Sequence, residues 1–508
     1  MVSATPQQIH VALEQWLNRV GFSKGNPFGI SEAESEPFVS ECFVDPSIYD
    51  ALKDDPRALL VFAPRGGGKT ALRVMLSSDC RPLQPTDVYP RSPDLAVTYS
   101  DFDPALIACD YDLERLRPAH HVAGILRSAC SAALDALWQD TDLINSLSAR
   151  LRTRFAAYCR HFNPDLLSAD ATEQRLKSTC SEAEVPWRAL RQAVSEGRLA
   201  ASLPEWGVPP SPQLDFFAGL VDDTPEPLAN LDSALDLLAR FVQILEGMGL
   251  DKVYILLDRL DERLITFHDP DKLAALVAPL ITNLELIGVP NVAFRLFLPR
   301  EAQEAMLPFV RDDRCLDVLD VTWGVEPLRE LLRLRLQVYS EDKIQTLGKL
   351  CKPGLAAKIE NEMIELADGS PRRLLQLGAT LFETHVALSP NQRAISEEAW
   401  AVTPTKILGD GYVRPLRLDR EAGQVYLGRT TPVQLAPLPY RLVVALYEAR
   451  GFCTNREIAE AVWESWASDE QIRQTIRRVR DALKETGANP ELYLVNEPGR
   501  GYKLQNTA

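Results

Sequence analysis

The sequence predicts an α/β protein: a parallel, doubly wound sheet carrying a helical insertion, then a helical region, then a separate small C-terminal domain. Three observations predict it. From about residue 58, short apolar runs alternate with helical patterns, and one of them, VYILLD at 253–258, is almost wholly apolar, as a strand covered on both faces must be. The stretch VFAPRGGGKTAL at 61–72 passes from strand-like residues through a glycine-rich turn into a helical pattern. The strands stop after Trp323, and residues 326–400 read as helices before a further mixed region begins.

The elements follow in order. Residues 5–20 form an amphipathic pattern with Thr5 as cap, Pro6 in the first turn, and Ile9, Leu13, Trp16, Leu17 and Val20 on one face. ALLVFA (58–63), LAVTYSDF (95–102), VYILLD (253–258), NVAFRLFLP (291–299) and CLDVLDVTW (315–323) are the predicted strands. Residues 120–245 are too long for one crossover and read as a helical insertion, broken by the proline-rich stretch at 202–213. The expected organisation is an N-terminal helix within 1–25, a core at 26–325, a helical lid at 326–405, a linker near 402–411 and a C-terminal domain at 412–508.

A chain of 508 residues has room for two to four domains, and 46% hydrophobic with 25% charged residues is an ordinary globular balance. The first ten residues lack the basic and apolar regions of a secretory signal, and no apolar run approaches the ~20 residues of a membrane helix. Nine scattered cysteines, with no CxxC pair and no histidine at zinc-ligand spacing, predict a reduced cytoplasmic protein without a structural metal. A net charge of −16 argues at first against nucleic acid. The charge is uneven: residues 412–508 carry 14 Lys and Arg against 12 Asp and Glu, a net of +2, which leaves −18 on the rest. A domain of that charge is expected to bind DNA modestly and with salt sensitivity.

The glycine-rich turn has the chemistry of a phosphate cradle. A P-loop runs Gly, four residues, then Gly-Lys-Ser/Thr; here Ala63 replaces the first glycine, and Pro64, Arg65, Gly66, Gly67, Gly68, Lys69, Thr70 and Ala71 follow. Glycines allow successive N–H groups to turn toward an anion, and the helix behind them directs its positive end at it. Lys69 is expected to reach the β- and γ-phosphates, and Thr70 to place its hydroxyl on Mg²⁺. Asp258 ends a second apolar strand in YILLDRLDE (254–262) and is expected to hold the metal's water shell. Asp261 and Glu262 are candidates to polarise an attacking water; the alternative is a solvated acidic turn. Arg300 ends FRLFLPR, and Arg372 and Arg373 open a helix in ADGSPRRLL; each is a candidate to neutralise phosphate charge, or else a surface or capping arginine.

Together FAPRGGGKTA, YILLDRLDE, FLPRE, GVEPLRELLRLRL and GSPRRLL, with NPF at 26–28, resemble the AAA+/STAND class of P-loop ATPases, in particular its origin-recognition-like and NACHT-related branches. The resemblance spans about residues 26–400. It implies an ATPase core, a helical lid carrying a GxPR-type arginine, and ATP rather than GTP as the nucleotide. Ala63 and Arg259 depart from the pattern without removing a phosphate or magnesium ligand.

Residues 414–434 predict a small antiparallel sheet, followed by a helix with Tyr440, Leu442, Val443 and Leu446 inward. A second helix is capped near Thr454 or Asn455, and a third is capped by Ser468 with Ile472, Ile476, Val479 and Leu483 on one face. YLVNEPGRGYKL (493–504) closes as a hairpin. This region, 413–505, resembles the OmpR/PhoB-type winged helix, whose third helix enters the major groove and whose hairpin approaches the minor groove. The resemblance places Gln471, Arg473, Gln474, Arg477 and Arg478 near bases or phosphates and Arg500 in the wing. Pro439 departs from the family pattern, and Asp469 and Glu470 put negative charge at the front of the recognition helix.

Two functions follow from these resemblances. One is an ATP-dependent switch, working as a homo-oligomer, whose winged helix binds duplex DNA in transcription or another DNA transaction. The other is a STAND-type signalling or defence ATPase in which the winged helix is a protein latch and a separate partner supplies the effector. A metabolic kinase or plain hydrolase has no second motif in its favour.

Overall fold

In the computed structural model of the protein, the described residues are 6–80, 94–180, 185–224, 228, 233–263, 265–267, 269–310, 315–408 and 415–505, the last without 421, 429–430, 450, 464–465, 487 and 498–499, together with Thr507. The expected cap Thr5, the linker positions 409–411 and the Pro498–Gly499 tip of the hairpin lie outside them. The chain forms two units, Asp45–Val321 on the one hand and Met1–Val44 with Thr322–Ala508 on the other.

The first unit is built on a five-stranded sheet. Its strands are β1 (Ala58–Ala63), β2 (Leu95–Tyr99), β3 (Val253–Leu257), β4 (Val292–Pro299) and β5 (Leu316–Asp320), in the order β2-β3-β4-β1-β5. Every neighbouring pair is parallel, with Val61 opposite Phe297 and Ile255 opposite Phe294. Successive side chains on a strand point to opposite faces. Every residue of β1, β3 and β4 is buried, so both faces of the sheet centre are covered. This is why those strands read as unbroken apolar runs. All five carboxyl ends lie on one edge, where parallel sheets place their ligands.

Between β2 and β3 runs a series of helices, from Pro118–Gln139 to Ala234–Gly247. They do not form a separate domain. Ile125, Phe155, Phe217 and Phe241 belong to the same buried cluster as Leu60, Val97 and Ile255 of the strands. The insertion thickens the core of the sheet rather than hanging from it.

One buried charge fixes the approach to β1. Arg295 on β4 is fully buried, and its guanidinium donates to the carbonyls of Leu52 (2.7 Å), Asp55 (2.5 Å), Arg57 (2.7 Å) and Phe294 (3.0 Å). Burial pulls its pKa down to about 10, so it remains charged at neutral pH. It satisfies the Leu52 carbonyl in the helix Tyr49–Asp54 and the Asp55 and Arg57 carbonyls of the loop leading into β1. Arg295→Met orphans those carbonyls and is expected to destabilise the unit by about 3 kcal/mol. Thermal unfolding should show its transition lowered by roughly 6–12 °C; an unchanged midpoint would remove this role.

The second unit contains a helical part and the C-terminal domain. The helix Pro6–Val20 buries Leu13, Trp16, Leu17 and Val20. Trp16 meets Phe382 of the helix Pro371–Leu388 edge to face at 4.9 Å, and the two share a core with the helix Val325–Tyr339. The expected core boundary at residue 26 is corrected here, because residues up to Val44 belong with this helical part. The reason is local. Phe28 packs on Phe382 at 5.1 Å, and buried Glu36 accepts hydrogen bonds from Arg335 and from the Tyr339 hydroxyl at 2.6 Å. The segment before Val44 is stapled to the helix Val325–Tyr339 by one carboxylate.

The C-terminal domain has an antiparallel sheet of β6 (Leu416–Asp419), β7 (Gln424–Leu427) and β8 (Thr431–Val433). Helices Pro437–Ala449, Asn455–Trp463 and Asp469–Glu485 follow, then the hairpin of β9 (Leu494–Glu497) and β10 (Gly501–Leu504). One core joins Leu416 and Leu427 of the sheet, Leu442 and Leu446, Ile458, and Ile472, Ile476 and Val479. Tyr440 is half-buried where an inward position was expected, and the neighbouring Pro439 is the buried residue. Cys453 and Tyr502 exchange backbone hydrogen bonds at 2.8 and 2.9 Å, which pins the hairpin to the turn between the first two helices. Gly501 sits at that crossing with φ +97°, and a Cβ there would lie 2.0 Å from the Cys453 carbonyl. The glycine of GRGYKL is therefore a packing requirement.

Candidate functional sites

The glycine-rich turn lies at the carboxyl edge of the sheet, between β1 and the helix Lys69–Asp79. Gly66 and Gly68 take φ of +73° and +90°, a region open to glycine and strained for other residues. Gly68 is the residue from which the helix starts. The turn thus presents backbone N–H groups at a helix N-terminus, the geometry that receives anions.

Lys69 is half-buried, with its ammonium 3.4 Å from the Ala63 carbonyl. Burial pushes its pKa down, while Asp261, Asp258 and Glu301 push it up. A partly dehydrated ammonium with a long hydrogen bond is ready to exchange it for a phosphate. Thr70 and Ala71 stand beside it in the first turn of the helix.

The candidate carboxylates separate by position. Asp261 is largely buried and 3.7 Å from Arg65 of the turn, whose guanidinium also lies over the Phe267 ring at 5.4 Å. Glu262 faces solvent, 65% exposed, with Arg259 at 3.9 Å. Of the pair, Asp261 is directed to the turn, and Glu262 takes the solvated alternative. Arg300 follows β4 and donates to the Val321 carbonyl at 3.0 Å, with Asp320 at 3.5 Å. Because β4 and β5 flank β1, this arginine spans the base of the turn.

Asp258 is also at this edge, but its surroundings differ from those expected of a metal ligand. Its Oδ2 accepts from Arg73 Nε at 3.0 Å, and its Oδ1 accepts from the Arg259 N–H at 2.9 Å. Both side chains of the Arg73–Asp258 pair are nearly dry, 8% and 3% exposed. Mg²⁺ demands near-octahedral oxygen geometry and gives up water reluctantly. A guanidinium already on the carboxylate repels a divalent cation by several kcal/mol at about 4 Å. The expected metal role does not fit Asp258. Arg73 was missed in the sequence, although KTALR places it one helical turn beyond Lys69, on the same face.

Arg372 and Arg373 belong to the second unit, at the start of the helix Pro371–Leu388, which Ser370 caps by accepting from the Arg373 N–H. Arg373 is 4.0 Å from Asp368, a residue in the left-handed region at φ +47°. The same carboxylate accepts a hydrogen bond from Arg417 of β6. Arg373 and the first strand of the C-terminal domain share one anion.

The third helix of that domain carries the second candidate site. Ser468 caps it in a reciprocal box with Gln471. Gln471 Oε1 accepts from the Ser468 N–H at 2.8 Å and from the Ser468 hydroxyl at 3.0 Å. In this structure the Gln471 side chain turns back on the helix end. Gln474 donates to Glu470 at 3.2 Å. Arg473, Arg477 and Arg478 are exposed, and Arg477 lies 4.0 Å from Asp481. Arg480, by contrast, ties the helix to the wing, donating to Glu491 and to the Leu494 carbonyl at 3.3 Å. Arg500 in the wing stacks over Phe452 at 4.4 Å and pairs with Glu497 at 2.9 Å.

Residues 430–504 match the family described as transcriptional regulatory protein, C terminal. The C-terminal domain is thus a winged helix of the DNA-binding, transcription-regulator type, with β6 and β7 lying ahead of the matched span. No curated protein and no solved structure matches the chain. Among the described residues no helix is long and apolar enough to cross a membrane.

Proposed function

We propose that the protein is an ATP-binding switch whose winged helix binds duplex DNA and regulates transcription or another DNA transaction. The observation that carries this reading is the presence, in one chain, of an anion-receiving turn at the carboxyl edge of a parallel sheet and a transcription-regulator-type winged helix. In this reading the N–H groups of the turn and Lys69 bind the phosphates, and Thr70 lies beside them. Asp261 orients a water for slow hydrolysis, and Arg300 answers the phosphate charge. Nucleotide controls DNA binding only if it has different affinities for two states of the chain. Asp368 supports a route for that control, since it joins Arg373 to Arg417 of the winged helix. Homo-oligomer formation would raise the affinity of a weakly basic module by avidity.

The test is binding to random duplex DNA at several salt concentrations, with and without a slowly hydrolysed ATP analogue. Binding that weakens steeply with salt and changes at least threefold with nucleotide is the expected result. Absence of binding in both states, even at low salt, would instead favour the latch reading, with a separate effector partner. The acidic Asp469 and Glu470 at the front of the third helix are the feature on the side of that second reading.

A further inference from the structure

The ion pair of Arg73 and Asp258 has the placement of a built-in counter-charge. Arg73 lies on the helix that begins with Lys69, and its Nη1 also donates to the Thr98 hydroxyl of β2 at 3.3 Å. Asp258 follows β3, the neighbour of β2. The backbone turns at Arg259 in the left-handed region, φ +62°, and there its N–H closes on the second carboxylate oxygen. A helix, two strands and a strained turn therefore converge on this one ion pair. A buried carboxylate without a cation is strongly disfavoured, and a fork-shaped guanidinium is the side chain best able to neutralise it. The protein has thus placed a fixed positive charge beneath the phosphate turn, at the position where a metal-bound water shell was expected.

We propose that Arg73 is a positioning residue which makes nucleotide binding at this site largely independent of divalent metal. Asp258 serves to anchor Arg73 instead of ligating a cation. The inference rests on the nucleotide-binding reading given above. Lys69, one turn earlier on the same face, makes direct contact with phosphate. Arg73 keeps Asp258 neutralised, so that the carboxylate neither repels the triphosphate nor requires an ion to screen it.

The test is titration of the full chain with a fluorescent ATP analogue in magnesium chloride and in excess EDTA. Less than threefold difference in Kd between the two buffers is expected. A loss of affinity of tenfold or more in EDTA would overturn the inference while leaving nucleotide binding intact. No binding in either buffer would reject the parent reading itself. Arg73→Gln frees the carboxylate and is expected to raise the magnesium dependence to tenfold or more; a folded variant with wild-type metal independence would count against Arg73. The wild-type comparison decides the matter even if that variant fails to fold.

Discussion

Lys69→Ala is expected to abolish measurable nucleotide binding without unfolding the α/β unit. The ammonium is half-buried at the helix N-terminus, and three carboxylates, Asp261, Asp258 and Glu301, act on it. Its one hydrogen bond, to Ala63 at 3.4 Å, is long and contributes little to stability. A charge-assisted contact to phosphate is worth about 3 kcal/mol, so its loss lowers affinity roughly 100-fold. Removal of Lys69 also leaves the nearby carboxylates facing the triphosphate with one cation fewer. Calorimetric titration with ATP, paired with a thermal melt, checks both halves. Tight ATP binding by a folded Lys69→Ala protein would reject the phosphate-cradle assignment. Loss of binding with an unchanged melt would leave the turn as the seat of the nucleotide.

The parts of this protein that could be read from sequence are those governed by local rules. The buried strands announce themselves because β1, β3 and β4 are covered on both faces and carry hardly a polar residue. The turn at Gly66–Gly68 is legible because positive φ selects glycine. The Ser468 cap follows from helix-end hydrogen bonding, and the same chemistry places Gln471: a glutamine three residues after a capping serine closes the box. What stayed hidden depends on long-range pairing. Asp258 meets Arg73 across 185 residues, and Arg335 meets Glu36 across 299. No periodicity encodes such partners. Arg295 sits inside an apolar strand, yet it holds the entry to β1. The arginines with fully or nearly buried side chains in the α/β unit, Arg73 and Arg295, thus carry no motif.

The second large effect is expected on the recognition helix. Replacing Arg473, Arg477 and Arg478 together by alanine should weaken duplex binding roughly 100-fold, at about 1 kcal/mol per lost phosphate contact. The same change should reduce the slope of log affinity against log salt by about 3, since each neutralised phosphate contributes close to one. These three side chains are exposed and absent from the core formed by Ile472, Ile476 and Val479, so folding should be unaffected. Arg480 is the contrasting position. It pairs with Glu491 and the Leu494 carbonyl between helix and wing, and its loss should act on the domain's stability before it acts on DNA. A domain with only two net positive charges has little surplus to lose, which makes the triple variant a sharp test. Fluorescence anisotropy with a labelled duplex at several salt concentrations reads both quantities. An unchanged slope would mean that the three arginines do not face phosphate, and the exposed face of the helix would then have to meet a protein partner.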